Sequence, residues 1–229
     1  MSIEQKRKHI KSFVLRQGKI TPGQSNSIEE LMPIYGIKYS NSPIDLNAEF
    51  KRVNHKIIEI GFGMGNASWQ IAKSHPENDY LGIEVHSPGV GSLLMSLKSN
   101  EVSNLRIIHH DALEVLHNMI PNGSINGFHI YFPDPWHKKR HHKRRIIQKD
   151  FINLLCQKLV PGGYIHLATD WEHYSKWMLD ILNKNPQLHN ESQNNTFITR
   201  PDFRPMTKFE QRGINLGHKV WDLMFKKIS

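Results

Sequence analysis

A glycine-rich turn that follows an apolar run could hold a small ligand through its backbone. The run begins at Lys56, contains Glu59 and leads into Gly61, Gly63 and Gly65. Glycines allow the backbone to approach a ligand closely, and the helix expected next offers unpaired N–H groups. A dinucleotide would need the spacing G-x-G-x-x-G, whereas here the third glycine comes one residue early. Glu59 would also repel a pyrophosphate, so the turn favours a ligand that carries positive charge.

Two further acidic residues indicate which ligand this is. Glu84 ends the second apolar run, where a carboxylate can accept hydrogen bonds from two ribose hydroxyls. Asp111 follows the third run, and it could accept a hydrogen bond from an adenine amino group or cap the next helix. Glu59 suits ammonium and sulfonium groups. Three acids at the ends of three consecutive runs therefore predict a binding site for S-adenosylmethionine.

A stiff acidic loop and a basic segment come after the fourth apolar run. Pro133 and Pro135 flank Asp134 and restrict the backbone, which holds the carboxylate in place. Trp136 follows, and residues 137–145 (HKKRHHKRR) contain six Lys or Arg and no acid. An acid, an aromatic ring and a basic run combine base recognition, stacking and phosphate contacts. The alternative is a turn with a packed tryptophan that leads into a solvated helix.

Alternating strands and helices must position these residues. Strands are predicted over 56–61, 79–85, 105–109, 127–132 and 164–169, with further candidates at 196–199 and 218–225. Helices are predicted over 66–74, 88–98, 112–119, 144–159 and 172–183. This alternation predicts an α/β fold with a mostly parallel sheet of about seven strands and helices on both faces. Ligands of such sheets bind beyond the carboxyl ends of the strands, where each motif falls.

The positive charge of the chain is concentrated in two segments. The 229 residues include 30 Lys and Arg against 21 Asp and Glu, which gives a net charge of +9. Residues 1–20 hold six basic residues and one acid, and together with 137–145 they carry more than the whole excess. Polycationic segments attract nucleic acid through the release of counterions. We expect residues 1–50 to form an irregular, basic N-terminal extension.

Several features predict a cytoplasmic protein without a metal site. No run approaches the roughly 20 apolar residues of a membrane span, and the N-terminus lacks the apolar stretch of a secretory signal. A single cysteine, Cys156, excludes an intramolecular disulfide framework, and its apolar neighbours predict a core position rather than a nucleophile. His137, His141 and His142 lack matching carboxylates or thiolates, so we expect no metal to bind there.

Five segments resemble a known family: IEIGFGMG, YLGIEVH, PDPWHKKRHHKRR, ATDWEHY and RPMTKFEQRG. In order and spacing they are similar to those of the bacterial tRNA (guanine-N7-)-methyltransferases, the TrmB family. The resemblance extends from Ile57 to Phe225 and is loose over the first 50 residues. It implies a Rossmann-like, class I S-adenosylmethionine-dependent methyltransferase domain over residues 51–229, with antiparallel last strands. It also implies that the substrate is the guanine at position 46, in the variable loop of tRNA.

The resemblance assigns roles to individual positions, and Asp134 is the proposed catalytic residue. The turn and the acids form the predicted cofactor site: Glu59, Gly61, Gly63, Gly65, Glu84, Asp111 and Asp134. Substrate contacts are implied for Lys138, Asp170, Thr207, Lys208, Phe209 and Glu210. RNA contacts are implied for Arg140, His141, His142, Lys143, Arg144 and Arg145.

Two of the implied substrate positions could instead have structural roles. Asp170 could cap the helix that begins near Trp171, and Glu210 could pair with Arg212. Residues 207–210 are expected to lie in a loop between Pro205 and Gly213, which favours a binding role.

The implied chemistry depends on orientation more than on acid–base catalysis. Nitrogen 7 of guanine carries a lone pair and no proton, so its attack on a sulfonium methyl group needs no strong base. The enzyme must chiefly align nucleophile, methyl group and leaving sulfur. We therefore expect Asp134 to position the guanine by accepting hydrogen bonds from its N–H groups.

Two other functions are compatible with parts of this pattern. A methyltransferase for a protein or a small molecule would not need the basic run at 138–145. A non-catalytic RNA-binding module would have lost acids or glycines of the cofactor site, and all of them are present. The sequence therefore predicts a tRNA methyltransferase, and it leaves open whether the protein is a monomer or a homodimer.

Overall fold

The computed structural model describes residues 11–13 and 18–228. Within this part of the chain, seven strands form one twisted sheet. The strands are β1 His55–Ile60, β2 Asn78–Glu84, β3 Leu105–His109, β4 Ile125–Tyr131, β5 Leu159–Thr169, β6 Leu188–Asn190 and β7 Trp221–Lys227. Their order is β3-β2-β1-β4-β5-β7-β6. Strands β1 to β5 are parallel, and β7 pairs antiparallel with β5 and β6. The predicted sheet and its antiparallel end are confirmed.

Helices cover both faces of this sheet. They are α1 Pro22–Tyr35, α2 Leu46–Phe50, α3 Asn66–Ser74, α4 Ser87–Ser99, α5 Ala112–Asn118, α6 Lys149–Lys158, α7 Glu172–Asn183 and α8 Lys208–Asn215. Alternate residues of β1 point to opposite faces, so Ile57 packs with α1, α3 and α4, whereas Ile58 packs with α2, α5, α6 and α7. Cys156 lies in the hydrophobic core that contains Ile58, and burial there raises the pKa of its thiol to about 11.

The order of the strands reverses at the centre of the sheet, and this reversal defines the ligand edge. The strands β1 and β4 lie side by side at the centre, and the connections from them lead to opposite sides of the sheet. This is the topological switch point, where open α/β sheets bind ligands beyond the carboxyl ends of their strands. The turn after β1, the end of β2 and the loop after β4 therefore meet at one edge.

The N-terminal region differs from the expected irregular extension. Residues 22–35 form helix α1, which begins with a reciprocal capping box between Thr21 and Gln24. Leu31 of this helix is buried against α4. Helix α2 begins at its cap Asp45 and buries Leu46 and Phe50. The irregular interpretation is therefore wrong for these residues. Residues 1–10 and 14–17, which include four of the six basic residues of this segment, lie outside the described residues.

Three other elements differ from the sequence prediction. The helix predicted over 144–159 begins only at Lys149, because Arg145 has a non-helical backbone and a short 3-10 helix, Lys139–Arg144, precedes it. Residues 208–215 form helix α8 instead of a loop. The predicted strand at 196–199 is reduced to a single bridge at Ile198, and β6 was not predicted. Within the described residues, no helix is long and apolar enough to cross a membrane.

Candidate active site

A cavity of about 280 Å³ opens at the carboxyl ends of β1, β2 and β4. Its wall combines apolar side chains with three carboxylates, and its lining includes Ile60, Gly61, Gly63, Ile83, Glu84, Val85, Asp111, Leu113, Ile130, Pro133 and Asp134. Gly61 and Gly63 have φ angles of +74° and +55°, and a Cβ at either would meet no atom within 4 Å. The glycine turn thus presents bare backbone to open space, as the sequence predicts.

Glu84 joins the glycine turn to the end of β2. Its Oε2 atom accepts a hydrogen bond from the Gly63 N–H at 2.9 Å. Its Oε1 atom accepts from the N–H groups of Val85 at 2.7 Å and His86 at 3.0 Å. The carboxylate therefore shapes the cavity wall before any ligand binds. Its lining position is consistent with the ribose contact predicted for it.

Glu59 and Gly65, two further predicted cofactor residues, lie outside the cavity lining. Glu59 is buried behind the turn, and burial together with the nearby Glu84 carboxylate raises its pKa to about 7, although Ser68 opposes the shift. Gly65 begins helix α3, and a Cβ there would come within 2.7 Å of Leu93. Gly65 is thus required for close helix packing, and Glu59 places negative charge beneath the turn.

Asp111 caps a helix, as one of its two predicted roles requires, and it also lines the cavity. Its Oδ1 atom accepts a hydrogen bond from the Leu113 N–H at 2.8 Å and so caps α5. The same side chain lines the cavity between Glu84 and Leu113. Among the described residues the other carboxylate oxygen accepts no hydrogen bond and could accept one from an amino group, while Leu113 offers an apolar surface for a flat ring.

The loop that carries Asp134 is held in an unusual conformation. Phe132 and Trp136 have φ angles of +50° and +46°, a left-handed region that costs bulky residues of the order of 1–2 kcal/mol each. The Phe132 N–H donates to the Ala168 carbonyl at 2.8 Å, and the Trp136 indole N–H donates to the Ser12 carbonyl at 3.1 Å. Burial raises the pKa of Asp134. Such over-determined strain is typical of functional sites.

The side chains that line the cavity fit S-adenosylmethionine. The described lining residues include three carboxylates and no Lys or Arg, a charge balance that disfavours a pyrophosphate. Apolar walls from Ile60, Ile83 and Leu113 suit an adenine ring. Carboxylates at Glu84 and Asp111 suit hydroxyl and amino donors, and the negative charge of the site suits a sulfonium group. Within the described residues, no group of three His, Cys, Asp or Glu could hold a metal ion.

The basic run begins beside the cavity and forms an exposed surface. Lys138 is exposed and precedes the 3-10 helix, in which Lys139, Arg140 and Lys143 are also exposed. Arg144 is half-buried and lies over the Trp136 ring, 4.6 Å from its centroid. The predicted RNA contacts His141 and His142 are half-buried, whereas Arg145 is buried. This surface is continuous in sequence with the Asp134 loop, which lines the cavity.

The remaining predicted substrate positions lie at the end of β5 and on α8. Asp170 is half-buried, and α7 begins after Trp171 without a side-chain cap among the described residues. Thr207 caps α8 by accepting from the Glu210 N–H at 3.1 Å. Lys208 and Phe209 lie in the first turn of α8, and their side chains are outside the described part of the structure.

A buried ion-pair network, which sequence reasoning missed, fixes α8 to the sheet. Arg204 donates two hydrogen bonds to Asp222 at 2.8 Å and two to Glu210 at 2.7 and 2.8 Å. Burial alone would lower the pKa of Arg204, but the two carboxylates raise it above its ordinary value. Asp222 also accepts from His166 at 2.8 Å, and the His166 ring accepts from the Tyr131 hydroxyl at 2.9 Å. The partner of Glu210 is therefore Arg204 and not Arg212.

Replacement of Glu210 by Gln should lower the free energy of unfolding by about 2 kcal/mol, because it removes charge-assisted hydrogen bonds to a buried arginine. Asp222 would still neutralise Arg204, which limits the loss. Urea unfolding of the variant would measure the difference. Glu172→Gln is the matched control, since Glu172 forms a solvent-exposed pair with Lys176 and its loss should cost much less. Equal losses of unfolding free energy in the two variants would contradict a stabilising role for the buried ion-pair network.

Comparison with known proteins places the whole chain in one family. Residues 53–223 match the family model described as "Putative methyltransferase". The chain is 54% identical to a tRNA (guanine-N(7)-)-methyltransferase of Methylobacillus flagellatus, over 96% of this chain and 92% of the relative. It is 54% identical to the enzyme of that name from Chromobacterium violaceum, over 95% of this chain and 96% of the relative.

A solved structure supports the fold. The 16S rRNA methyltransferase KamB aligns with a TM-score of 0.59 at 10% identity, over 82% of this chain and 95% of its own. At this identity the likeness concerns the fold, which is that of the class I methyltransferases. The relatives are alike over nearly their full length, whereas the structural neighbour shares only the architecture. The chain therefore belongs to the tRNA (guanine-N(7)-)-methyltransferase family.

Proposed function

We propose that this protein transfers a methyl group from S-adenosylmethionine to nitrogen 7 of a guanine in tRNA, at position 46 of the variable loop. The observation that carries the proposal is the position of Asp134. Its loop closes one side of the carboxylate-lined cavity and continues directly into the exposed basic run. A nucleic acid on that surface can place one base beside the cofactor cavity. The names of the family members support the same substrate.

The reaction moves a methyl group and no proton. When bound, S-adenosylmethionine supplies a methyl group on a positively charged sulfur. The lone pair of guanine N7 forms the new N–C bond, the S–C bond breaks, and its electron pair stays on sulfur. Positive charge thereby passes from sulfur to the guanine ring. The residues of this chain must hold the two reactants in line, a contribution that reaches about 7–11 kcal/mol in favourable cases.

Asp134 is suited to orienting the guanine. Among the described residues its carboxylate accepts no hydrogen bond, so both oxygens are free for the ring and exocyclic N–H groups of the base. A carboxylate there also favours guanine, which has two adjacent donors on that edge, and stabilises the positive charge that develops on the ring. The side chain of Asp134 is exposed at the cavity and therefore accessible to a base, and partial desolvation raises its pKa.

The basic surface would bind the tRNA backbone and orient it. Exposed lysines and arginines neutralise phosphates without reading sequence. We assign this role to Lys138 and to the exposed residues of the 3-10 helix, with Asp170 and the first turn of α8 as further substrate contacts. Glu210, whose carboxylate is held by Arg204, would contribute by fixing α8. Because tRNA is the substrate, we infer a cytoplasmic location.

Transfer of labelled methyl groups to unmodified tRNA transcripts tests the proposal. Nucleoside analysis should recover the label as 7-methylguanosine, and a transcript with adenosine at position 46 should remain unlabelled. Label in another nucleoside would overturn the reacting atom, and label in the adenosine-46 transcript would overturn the position. Absence of transfer to any tRNA, with S-adenosylmethionine bound, would favour a protein or small-molecule substrate.

A further inference from the structure

Arg145, the last residue of the basic run, faces the protein interior. Its side chain is 1% exposed, whereas Arg140, five residues earlier, is exposed. The Arg145 Nε–H donates to the Pro135 carbonyl at 2.9 Å. An Nη2–H donates to His173 Nδ1 at 3.1 Å, which requires the neutral form of that ring nitrogen as acceptor. A guanidinium in this position cannot reach a phosphate on the protein surface.

Two aromatic rings lie against the guanidinium of Arg145. Its central carbon lies 4.7 Å from the centroid of the Tyr174 ring and 5.2 Å from that of Trp177. Both rings belong to α7, and burial lowers the pKa of Arg145. Within the described residues Arg145 forms no ion pair. Burial of a cation without a carboxylate partner is costly, so we look for a geometric role that offsets the cost.

The carbonyl that Arg145 holds belongs to the strained loop. Pro135 directly follows Asp134 and precedes Trp136, one of the two residues with a positive φ angle. On the other side of Asp134, the Phe132 N–H is tied to the Ala168 carbonyl of β5. Asp134 is therefore anchored from both sides, by β5 and by Arg145. Without the second anchor, the loop could relax from its left-handed conformation.

We propose that Arg145 is a positioning residue, which fixes the Asp134 loop against α7, and that the RNA-binding run ends at Arg144. The proposal rests on the proposed function, since it assigns Asp134 to the reacting guanine. It separates two adjacent arginines of the same motif by role: Arg144 lies toward the surface over Trp136, and Arg145 lies beneath the loop.

The salt dependence of tRNA binding separates the two roles. Each phosphate contact adds about one to the slope of log K against log salt concentration. Arg145→Gln should leave the slope unchanged between about 50 and 200 mM salt, although it removes a positive charge, and it should lower kcat by about a hundredfold. Arg140→Gln is the matched control, and it should lower the magnitude of the slope by about one.

A second variant covers the case in which Arg145→Gln fails to fold. His173 is exposed, so His173→Ala should keep the fold and remove one acceptor of the guanidinium. We expect a smaller loss of kcat than for Arg145→Gln, again with an unchanged slope. A slope reduced by about one in Arg145→Gln would show a phosphate contact and overturn the proposal. Wild-type kcat in Arg145→Gln, or in His173→Ala where Arg145→Gln does not fold, would overturn it as well. Failure of the wild-type protein to methylate tRNA would instead contradict the proposed function.

Discussion

Asp134→Asn is expected to lower kcat for tRNA methylation by about a hundredfold to a thousandfold. The amide has nearly the same shape, but one of its two polar atoms is a donor, which would face the N–H groups of the guanine. The variant also loses the negative charge that stabilises the positive product ring. Single-turnover methyl transfer at saturating tRNA would measure the effect without a contribution from product release.

Asp150→Asn is the control for this prediction, because it makes the same chemical change in the first turn of α6, outside the cavity lining. It should methylate tRNA as the parent does. Calorimetric titration with S-adenosylmethionine would show whether Asp134→Asn still binds the cofactor. Full turnover of Asp134→Asn would exclude Asp134 from the orientation of the guanine.

Glu59→Gln should stabilise the ligand-free protein and weaken its binding of S-adenosylmethionine. The carboxylate is buried beside Glu84, and burial raises its pKa to about 7. At pH 8 the ionised group costs roughly 3 kcal/mol relative to an unperturbed glutamate, a cost that the neutral amide does not carry. A cationic ligand can offset this cost by favourable interaction with the ionised acid, and the amide cannot offer that interaction.

The pH dependence of this effect has a defined sign. The folded state binds the proton of Glu59 more tightly than the unfolded state, so the penalty is absent well below pH 4.5 and grows as the pH rises to about 7. The gain in free energy of unfolding that Glu59→Gln gives, measured with urea, should therefore shrink to about 1 kcal/mol at pH 5. Glu29→Gln, at an exposed position of α1, should show no such pH-dependent gain. A variant less stable than the parent at pH 8 would contradict the assignment.

The sheet and the cofactor edge could be predicted from the sequence because local pattern and tertiary role coincide there. The buried strands read as apolar runs, and the turn at Gly61 and Gly63 requires positive φ angles that only glycine adopts without strain. The positions of Glu84, Asp111 and Asp134 at strand ends followed from the strands themselves. These residues line the predicted cavity.

Roles that depend on distant partners could not be predicted in this way. Arg145 belongs to the same basic run as the exposed Arg140, and its contacts with α7 distinguish it. Glu210 lies two residues from Arg212, yet the chain brings Arg204 to it through a bend at residues 200–206. Helix α1 was missed because Pro22, Gly23 and Pro33 suggest turns, although Thr21 and Gln24 form a capping box that the sequence T-P-G-Q displays.

The most direct test of the central claim is methyl transfer to a tRNA that carries 7-deazaguanosine at position 46 and guanosine elsewhere. This base keeps the N–H groups that Asp134 would hold but has a C–H group in place of nitrogen 7. We predict that the otherwise identical guanosine tRNA accepts one methyl group and that the 7-deaza tRNA accepts none while it still binds. Equal labelling of the two tRNAs would contradict methylation at nitrogen 7.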